Sequence, residues 1–175
     1  MQRKVDIIII KGAPGSGKSQ TAKSLTSFFP KGVRIEIDTI RQMVISVDWK
    51  NQQEHINLLQ VSTGLVHDFL KLGFSPVIIV DTFSGDKINR YLDTLYQLDK
   101  DLSIKIFGLF TTDDELKRRL DLRTNAEFKD FPICKRLNDD VLKFKHEIEY
   151  QIDTTGLLPQ QTAKKINEQI TAFSF

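Results

Sequence analysis

Apolar runs and helical stripes alternate along the whole chain. Five short runs rich in β-branched residues predict strands at 5–10, 33–37, 76–81, 103–110 and 149–153. Residues 7–10 and 77–80 are apolar at every position, which is typical of central parallel strands covered on both faces. Strand–helix alternation of this kind favours an α/β fold, with an open parallel sheet, right-handed crossovers and helices on both faces.

The segments between the strands carry apolar residues three and four positions apart, which predicts helices whose stripes form the core. The stripes comprise Ile40, Met43, Val44 and Val47; Leu58, Val61, Leu65, Phe69 and Leu72; Ile88, Tyr91, Leu92, Leu95 and Tyr96; Ile133, Leu137, Val141, Phe144 and Ile148; and Ala163, Ile166, Ile170 and Phe173. Gly73 is expected to end the second helix, and Pro159 to lie in the first turn of the last. The polar stretch 123–130 has no such stripe, and we expect a mobile lid around residues 119–131.

Length and composition predict one soluble domain spanning residues 1–175. A net charge of +2 does not favour a nucleic-acid partner, although a local basic surface stays an alternative. The single cysteine, Cys134, forms no internal disulfide and is expected to be buried. The apolar N-terminal stretch is too short for a signal peptide, and no run reaches membrane-spanning length, so we expect a cytoplasmic protein.

Residues 12–19 read Gly-Ala-Pro-Gly-Ser-Gly-Lys-Ser and directly follow the first predicted strand. The pattern G-x-x-x-x-G-K-[ST] between a strand and a helix predicts a site for ATP with Mg²⁺. Lys18 would reach the β- and γ-phosphates, the Ser19 hydroxyl would ligate Mg²⁺, and the helix N-terminus would add its positive end. The residues assigned to the nucleotide are Gly12, Ala13, Pro14, Gly15, Ser16, Gly17, Lys18, Ser19 and Gln20. A glycine-rich turn that binds nothing is the alternative.

Two aspartates follow predicted strands, where ligands of open α/β sheets bind. Asp81 closes the third strand and is predicted to hold Mg²⁺ directly or through water, the alternative being a cap on the next helix near Ser84. Asp38 is predicted to accept the proton of an attacking hydroxyl, with Arg41 clamping the acceptor or holding Asp38. The alternative is that Asp38 caps a helix starting at Thr39 and merely pairs with Arg41.

Arginines precede the expected lid. Arg119 and Arg123 are four residues apart, hence on one helical face, and are predicted to stabilise the transferring phosphoryl group; a solvated charged face is the alternative. Trp49 could stack on a ring of the acceptor, although plain packing explains it as well. The three histidines lack metal-ligand spacing and are interpreted as structural.

Four segments together resemble a known family. They are 12–19, Ile37-Asp38-Thr39-Ile40-Arg41, Val77-Ile78-Ile79-Val80-Asp81-Thr82, and Glu115-Leu116-Lys117-Arg118-Arg119 with Arg123. The chain resembles the kinase domain of 5′-hydroxyl polynucleotide kinases and, more broadly, the P-loop kinases that include small-molecule kinases and zeta-toxin-like enzymes. The resemblance implies a five-stranded parallel sheet in the order 2-3-1-4-5 and the roles given above for Asp38, Arg41, Asp81, Arg119 and Arg123. It also implies that Asp153-Thr154-Thr155-Gly156-Leu157 packs near the adenine, through Thr155 and Gly156.

These residues favour an ATP-dependent kinase that phosphorylates a hydroxyl of a small-molecule or nucleoside-type acceptor. A polynucleotide 5′-hydroxyl is the alternative acceptor. A motor ATPase often has Glu after the strand-end Asp, where this chain has Thr82, and a GTP switch needs Asn-Lys-x-Asp, which is absent. A nucleotide-binding module without turnover stays open.

Overall fold

Five parallel strands form the centre of the computed structural model, which describes residues 5–172. They are β1 (Ile7–Gly12), β2 (Val33–Glu36), β3 (Val77–Asp81), β4 (Ile104–Phe110) and β5 (Glu149–Asp153). The sheet has the order β2-β3-β1-β4-β5, and each neighbouring pair is parallel. The predicted fold class and strand order are therefore confirmed.

Helices connect the strands on both faces of the sheet. They are α1 (Lys18–Leu25), α2 (Ile37–Gln42), α3 (Gln52–Lys71), α4 (Lys87–Leu98), α5 (Asp113–Asp121), α6 (Phe131–Lys143) and α7 (Pro159–Ala172). Ile7 and Ile9 of β1 pack with residues of α3 and α4, whereas Ile8 and Ile10 pack with residues of α1 and α7. Because both faces of β1 are covered, every position of the strand is buried, which explains its continuous apolar run.

The stripe predicted for α3 is correct only in part: Leu58 and Phe69 pack against the core, but the other three of its five residues are exposed. The helix instead buries His55, Leu59, Ser62, Thr63 and Val66. Val61 and Leu72 are 55% and 74% exposed. The polar side chains on the buried face have partners: Ser62 Oγ donates to the Leu59 carbonyl and lies 2.9 Å from the Tyr91 hydroxyl. Because Ser62 of α3 finds partners in its own helix and in α4, a polar residue can be buried where the apolar pattern indicated none.

Two further stripes extend past their helices. Met43 follows the end of α2 and is 71% exposed, because the chain leaves the helix through a tight last turn and runs to α3. Phe144 follows the end of α6 and is 46% exposed, while its carbonyl accepts a hydrogen bond from Lys11. The stripes of α4 and α7 are core as predicted through Leu95 and Ile170, and Phe173 lies outside the described residues. Among residues 5–172, no helix combines the length and apolarity that crossing a membrane requires.

Candidate active site

The loop from β1 to α1 is shaped to surround an anion. Gly17 is the N-cap of α1 with φ 96°, and no side chain caps this helix end. The first-turn amides of a helix have no intrahelical partners, so they point out of the end of α1 unpaired. A Cβ on Gly12 would lie 2.5 Å from Ser16 Oγ and 2.6 Å from the Leu109 carbonyl oxygen, so the loop closes only around glycine there.

Lys18 lies inside this loop, where its Nζ donates to the Ala13 carbonyl at 2.8 Å. Burial lowers the pKa of Lys18 to about 8, against the opposing effect of Asp81 and Asp38, and the charge of Arg123 lowers it further. Asp81, Asp38 and Arg123 therefore all lie close enough to act on the Lys18 amine. The like charges of Lys18 and Arg123 repel each other, and a bound anion would offset this repulsion.

Oxygen donors suited to Mg²⁺ lie next to the loop. Ser19 Oγ donates to Glu36 Oε2 at 3.0 Å, which keeps its lone pairs available. Glu36 ends β2 and also pairs with Arg34, and sequence reasoning missed it because an edge-strand Glu carries no distinguishing pattern. Among residues 5–172, no group of three or more His, Cys, Asp or Glu forms a metal cage. One or two protein oxygens together with nucleotide phosphates and waters are the usual Mg²⁺ set, so Ser19, Asp81 and Glu36 fit.

Asp81 lies buried at the end of β3 with both carboxylate oxygens hydrogen-bonded. Oδ1 is 3.0 Å from His55 Nε2, and Oδ2 accepts from the Phe83 amide at 2.8 Å. Burial alone would raise the pKa of Asp81, but the hydrogen bond from His55, together with that from the Phe83 amide, outweighs it and lowers the pKa. The cap alternative is wrong, because the next helix has Asp86 as its N-cap.

Asp38 occupies the first turn of α2, exposed at the rim of the site. The helix starts at Ile37 with Glu36 as N-cap, so the alternative of a cap at Asp38 is wrong. Partial desolvation by the surrounding protein, and next the charge of Asp81, raises the pKa of Asp38, whereas the charges of Lys18 and Arg41 oppose this rise. A carboxylate with a raised pKa is the better proton acceptor.

Arg41 is 5% exposed and makes no ion pair with Asp38 within the described part of the chain. It donates weakly to the Asp48 carbonyl at 3.3 Å, and its guanidinium lies 4.6 Å from the centre of the Trp49 ring. Its buried Nε has no partner among residues 5–172. Trp49 therefore packs against the Arg41 guanidinium, and the role of Arg41 toward an acceptor stays a prediction.

The two predicted lid arginines have different surroundings. Arg119 donates from Nη2 to the Thr154 carbonyl at 2.6 Å and from Nη1 to Thr154 Oγ1 at 3.0 Å. Nη1 also reaches the Ser16 carbonyl at 3.3 Å, and Nε binds Glu115 at 2.8 Å. Arg119 thus ties the phosphate loop to the loop after β5, and its contact with a phosphoryl group stays a prediction.

Arg123 follows α5 in the connection 122–130, as the sequence indicated for the lid, and donates to the Phe128 carbonyl at 2.8 Å. Its charge helps to lower the pKa of Lys18, so the two cations lie near each other, and contact of Arg123 with phosphate stays a prediction. Motion of this segment stays a prediction.

The loop after β5 is fastened to the end of β4. Thr155 Oγ1 accepts from the Thr112 amide and lies 3.0 Å from Thr111 Oγ1, and Gly156 turns the chain with φ 70°. These contacts hold the loop in a fixed shape beside the phosphate loop, but they do not test an adenine contact. Gln20 is exposed on α1.

Sequence reasoning missed one more group. His55, interpreted as structural, binds Asp81, and its Nδ1 lies 3.1 Å from Lys87 Nζ. Neither His55 nor Lys87 stands in a recognisable motif. His55 and Asp81 are 26 positions apart and meet only because α3 packs beside β3, so no local signal could have predicted their contact.

A phosphate loop on β1, with carboxylates near the ends of β2 and β3, defines a P-loop nucleotide-binding protein with the kinase fold. The chain belongs to the AAA domain family, whose model matches residues 7–144. No curated protein sequence matches significantly.

Solved structures share the fold over almost the whole chain. A gluconokinase from Sinorhizobium meliloti 1021 is 14% identical with a TM-score of 0.70, covering 98% of this chain and 95% of that one. The APS kinase CysC from Mycobacterium tuberculosis, solved with AMPPNP and APS, is 12% identical with a TM-score of 0.69, covering 96% and 98%. A chain of the Pnkp1/Rnl/Hen1 RNA repair complex is 21% identical with a TM-score of 0.65, covering 85% of this chain and 48% of that one. At such identities the similarity shows the fold alone.

Proposed function

We propose that this protein is an ATP-dependent kinase that transfers the γ-phosphoryl group to a hydroxyl of a small-molecule or nucleoside-type acceptor. The observation that carries the proposal is the position of Asp38. Its carboxylate is exposed at the start of α2, and partial desolvation and the charge of Asp81 raise its pKa against the opposing charges of Lys18 and Arg41. A pure nucleotide-binding module needs no proton acceptor there.

The residues divide the reaction as follows. The loop amides and Lys18 bind the phosphates, and Arg123 adds charge where negative charge accumulates. Arg41, on the same helix as Asp38, orients the acceptor. Asp38 takes the hydroxyl proton as the acceptor oxygen bonds to the γ-phosphorus, while the bond from that phosphorus to the bridging oxygen breaks and ADP leaves. Mg²⁺ held by Ser19, with Asp81 and Glu36 nearby, would neutralise phosphate charge.

Asp38→Asn tests the assignment. Binding of ATP, measured by calorimetry, should stay within about threefold, and phosphoryl transfer should fall by roughly 10²–10⁴-fold, the usual scale of a general base. Asp93→Asn, which neutralises an exposed carboxylate on α4, is the matched control and should transfer normally. Unchanged transfer in Asp38→Asn would remove Asp38 from the mechanism.

The acceptor is found by incubating the protein with γ-labelled ATP and a panel of nucleosides, sugars and a 5′-hydroxyl oligonucleotide. A polynucleotide acceptor is the second candidate, supported by the resemblance of the site segments to 5′-hydroxyl polynucleotide kinases. It predicts binding that weakens steeply with salt, because phosphate contacts release counterions. A basic surface for a nucleic acid would draw on exposed lysines such as Lys164, but Lys164 lies 3.8 Å from Glu168, which offsets its charge and does not favour this candidate. Phosphate release without any acceptor would instead indicate an ATPase.

A further inference from the structure

Three buried polar side chains form a chain behind the nucleotide site. Asp81 Oδ1 lies 3.0 Å from His55 Nε2, and His55 Nδ1 lies 3.1 Å from Lys87 Nζ. Asp81, His55 and Lys87 are 5%, 7% and 8% exposed. With so little access to water, the contacts themselves decide where the protons lie.

Lys87 sets the direction of this chain of hydrogen bonds. Its Nζ also donates to Gln52 Oε1 at 2.6 Å and to Ser84 Oγ at 3.2 Å. An ammonium has three N–H groups and no acceptor, so the third N–H donates to His55 Nδ1. Nδ1 therefore accepts this hydrogen bond, and Nε2 carries the hydrogen that the ring donates to Asp81.

We propose that His55 and Lys87 are positioning residues that orient the Asp81 carboxylate toward Mg²⁺ of the bound nucleotide. The inference rests on the proposed nucleotide site. His55 holds Oδ1 and the Phe83 amide holds Oδ2 from the protein side. Each carboxylate oxygen keeps a second lone pair, and with the group fixed at both oxygens these lone pairs have one orientation.

The network reaches the site from two helices. Gln52 and His55 lie in the first turns of α3, and Lys87 is the first residue of α4. Both helices thereby act on the carboxylate through one imidazole ring. A purely structural network would stabilise the fold without changing how Mg²⁺ and nucleotide bind together.

The first experiment measures how much Mg²⁺ tightens the binding of AMPPNP, by calorimetry with Mg²⁺ and with EDTA. In His55→Leu, this tightening factor should fall about tenfold, the lower end for losing a partner of a metal-associated group, while affinity in EDTA stays within about threefold. His55→Gln, whose amide can donate to Asp81, should recover most of the factor. The control Arg90→Met removes an exposed cation of α4 that pairs with Asp86, and should leave the factor unchanged.

The outcomes separate the two proposals. Equal changes with and without Mg²⁺, or none, in folded His55→Leu would overturn the positioning role while leaving a kinase intact. Failure of the wild-type protein to phosphorylate any acceptor would overturn the kinase proposal but not the Mg²⁺ effect of His55. If a thermal melt shows that His55→Leu is unfolded, Lys87→Met replaces it. This variant should also reduce the factor by which Mg²⁺ tightens AMPPNP binding.

A second measurement needs no nucleotide. Long-range ¹H–¹⁵N correlation of the full chain, with His55→Gln to assign the ring, should show that His55 carries a hydrogen on Nε2 and none on Nδ1. A hydrogen on Nδ1 would mean that the ring does not accept from Lys87, and would overturn the inference.

Discussion

Nucleotide binding should weaken at alkaline pH because Lys18 loses its charge. The pKa of Lys18 is lowered to about 8, chiefly by burial, while the amine must be charged to bind phosphate. A group with pKa about 8 is charged in roughly nine of ten molecules at pH 7 and in one of ten at pH 9. The contribution of Lys18 to nucleotide affinity is therefore nearly complete at pH 7, and the affinity should fall about tenfold between pH 7 and pH 9.

Calorimetric titration with AMPPNP and Mg²⁺ at pH 7, 8 and 9, in buffers of different ionisation enthalpy, measures both affinity and proton uptake. At pH 9, binding should take up about 0.9 proton, since the bound phosphates restore the ammonium. Arg123→Ala removes a neighbouring cation and should move the midpoint to higher pH, whereas Lys18→Met should bind weakly at every pH. Constant wild-type affinity from pH 7 to 9 without proton uptake would refute the reasoning.

Three further predictions concern stability. Lys11→Met strands a buried partner, Glu149, 2.7 Å from its ammonium, so unfolding free energy should fall by about 3–5 kcal/mol in urea melts, and adding Glu149→Leu should restore much of it. Gly12→Ala places a Cβ 2.5 Å from a hydroxyl oxygen of the loop, so the free energy of unfolding should fall by about 1–3 kcal/mol and the affinity for ATP should fall as well. Gly64→Ala, in open space on α3, is the control and should raise the free energy of unfolding by about 0.5–1 kcal/mol. Arg119→Ala should lower stability by about 2–4 kcal/mol, because it detaches the loop after β5 from the phosphate loop; a thermal melt equal to that of the wild type would contradict this.

Local patterns predicted the features that depend on neighbours in the chain. The apolar run of β1 and the spacing from Gly12 to Ser19 indicated a strand, a phosphate loop and a helix, because each of these is built from adjacent residues. The stripe of α4 was read correctly, since every buried position of this helix after Lys87 is hydrophobic. The stripe of α3 was read correctly only in part, since polar residues share its buried face with Leu59 and Val66 and some of them bind groups on other elements.

The sequence alone determined the parallel α/β architecture, the phosphate loop and the aspartates that follow β2 and β3. Only the tertiary structure decided what those groups contact: Ser19 with Glu36, Asp81 with His55, and Arg119 with Thr154. The physical reason is range. Strand and helix patterns come from contacts a few residues apart, whereas hydrogen bonds across 17, 26 or 35 positions exist only after the sheet has brought distant segments together.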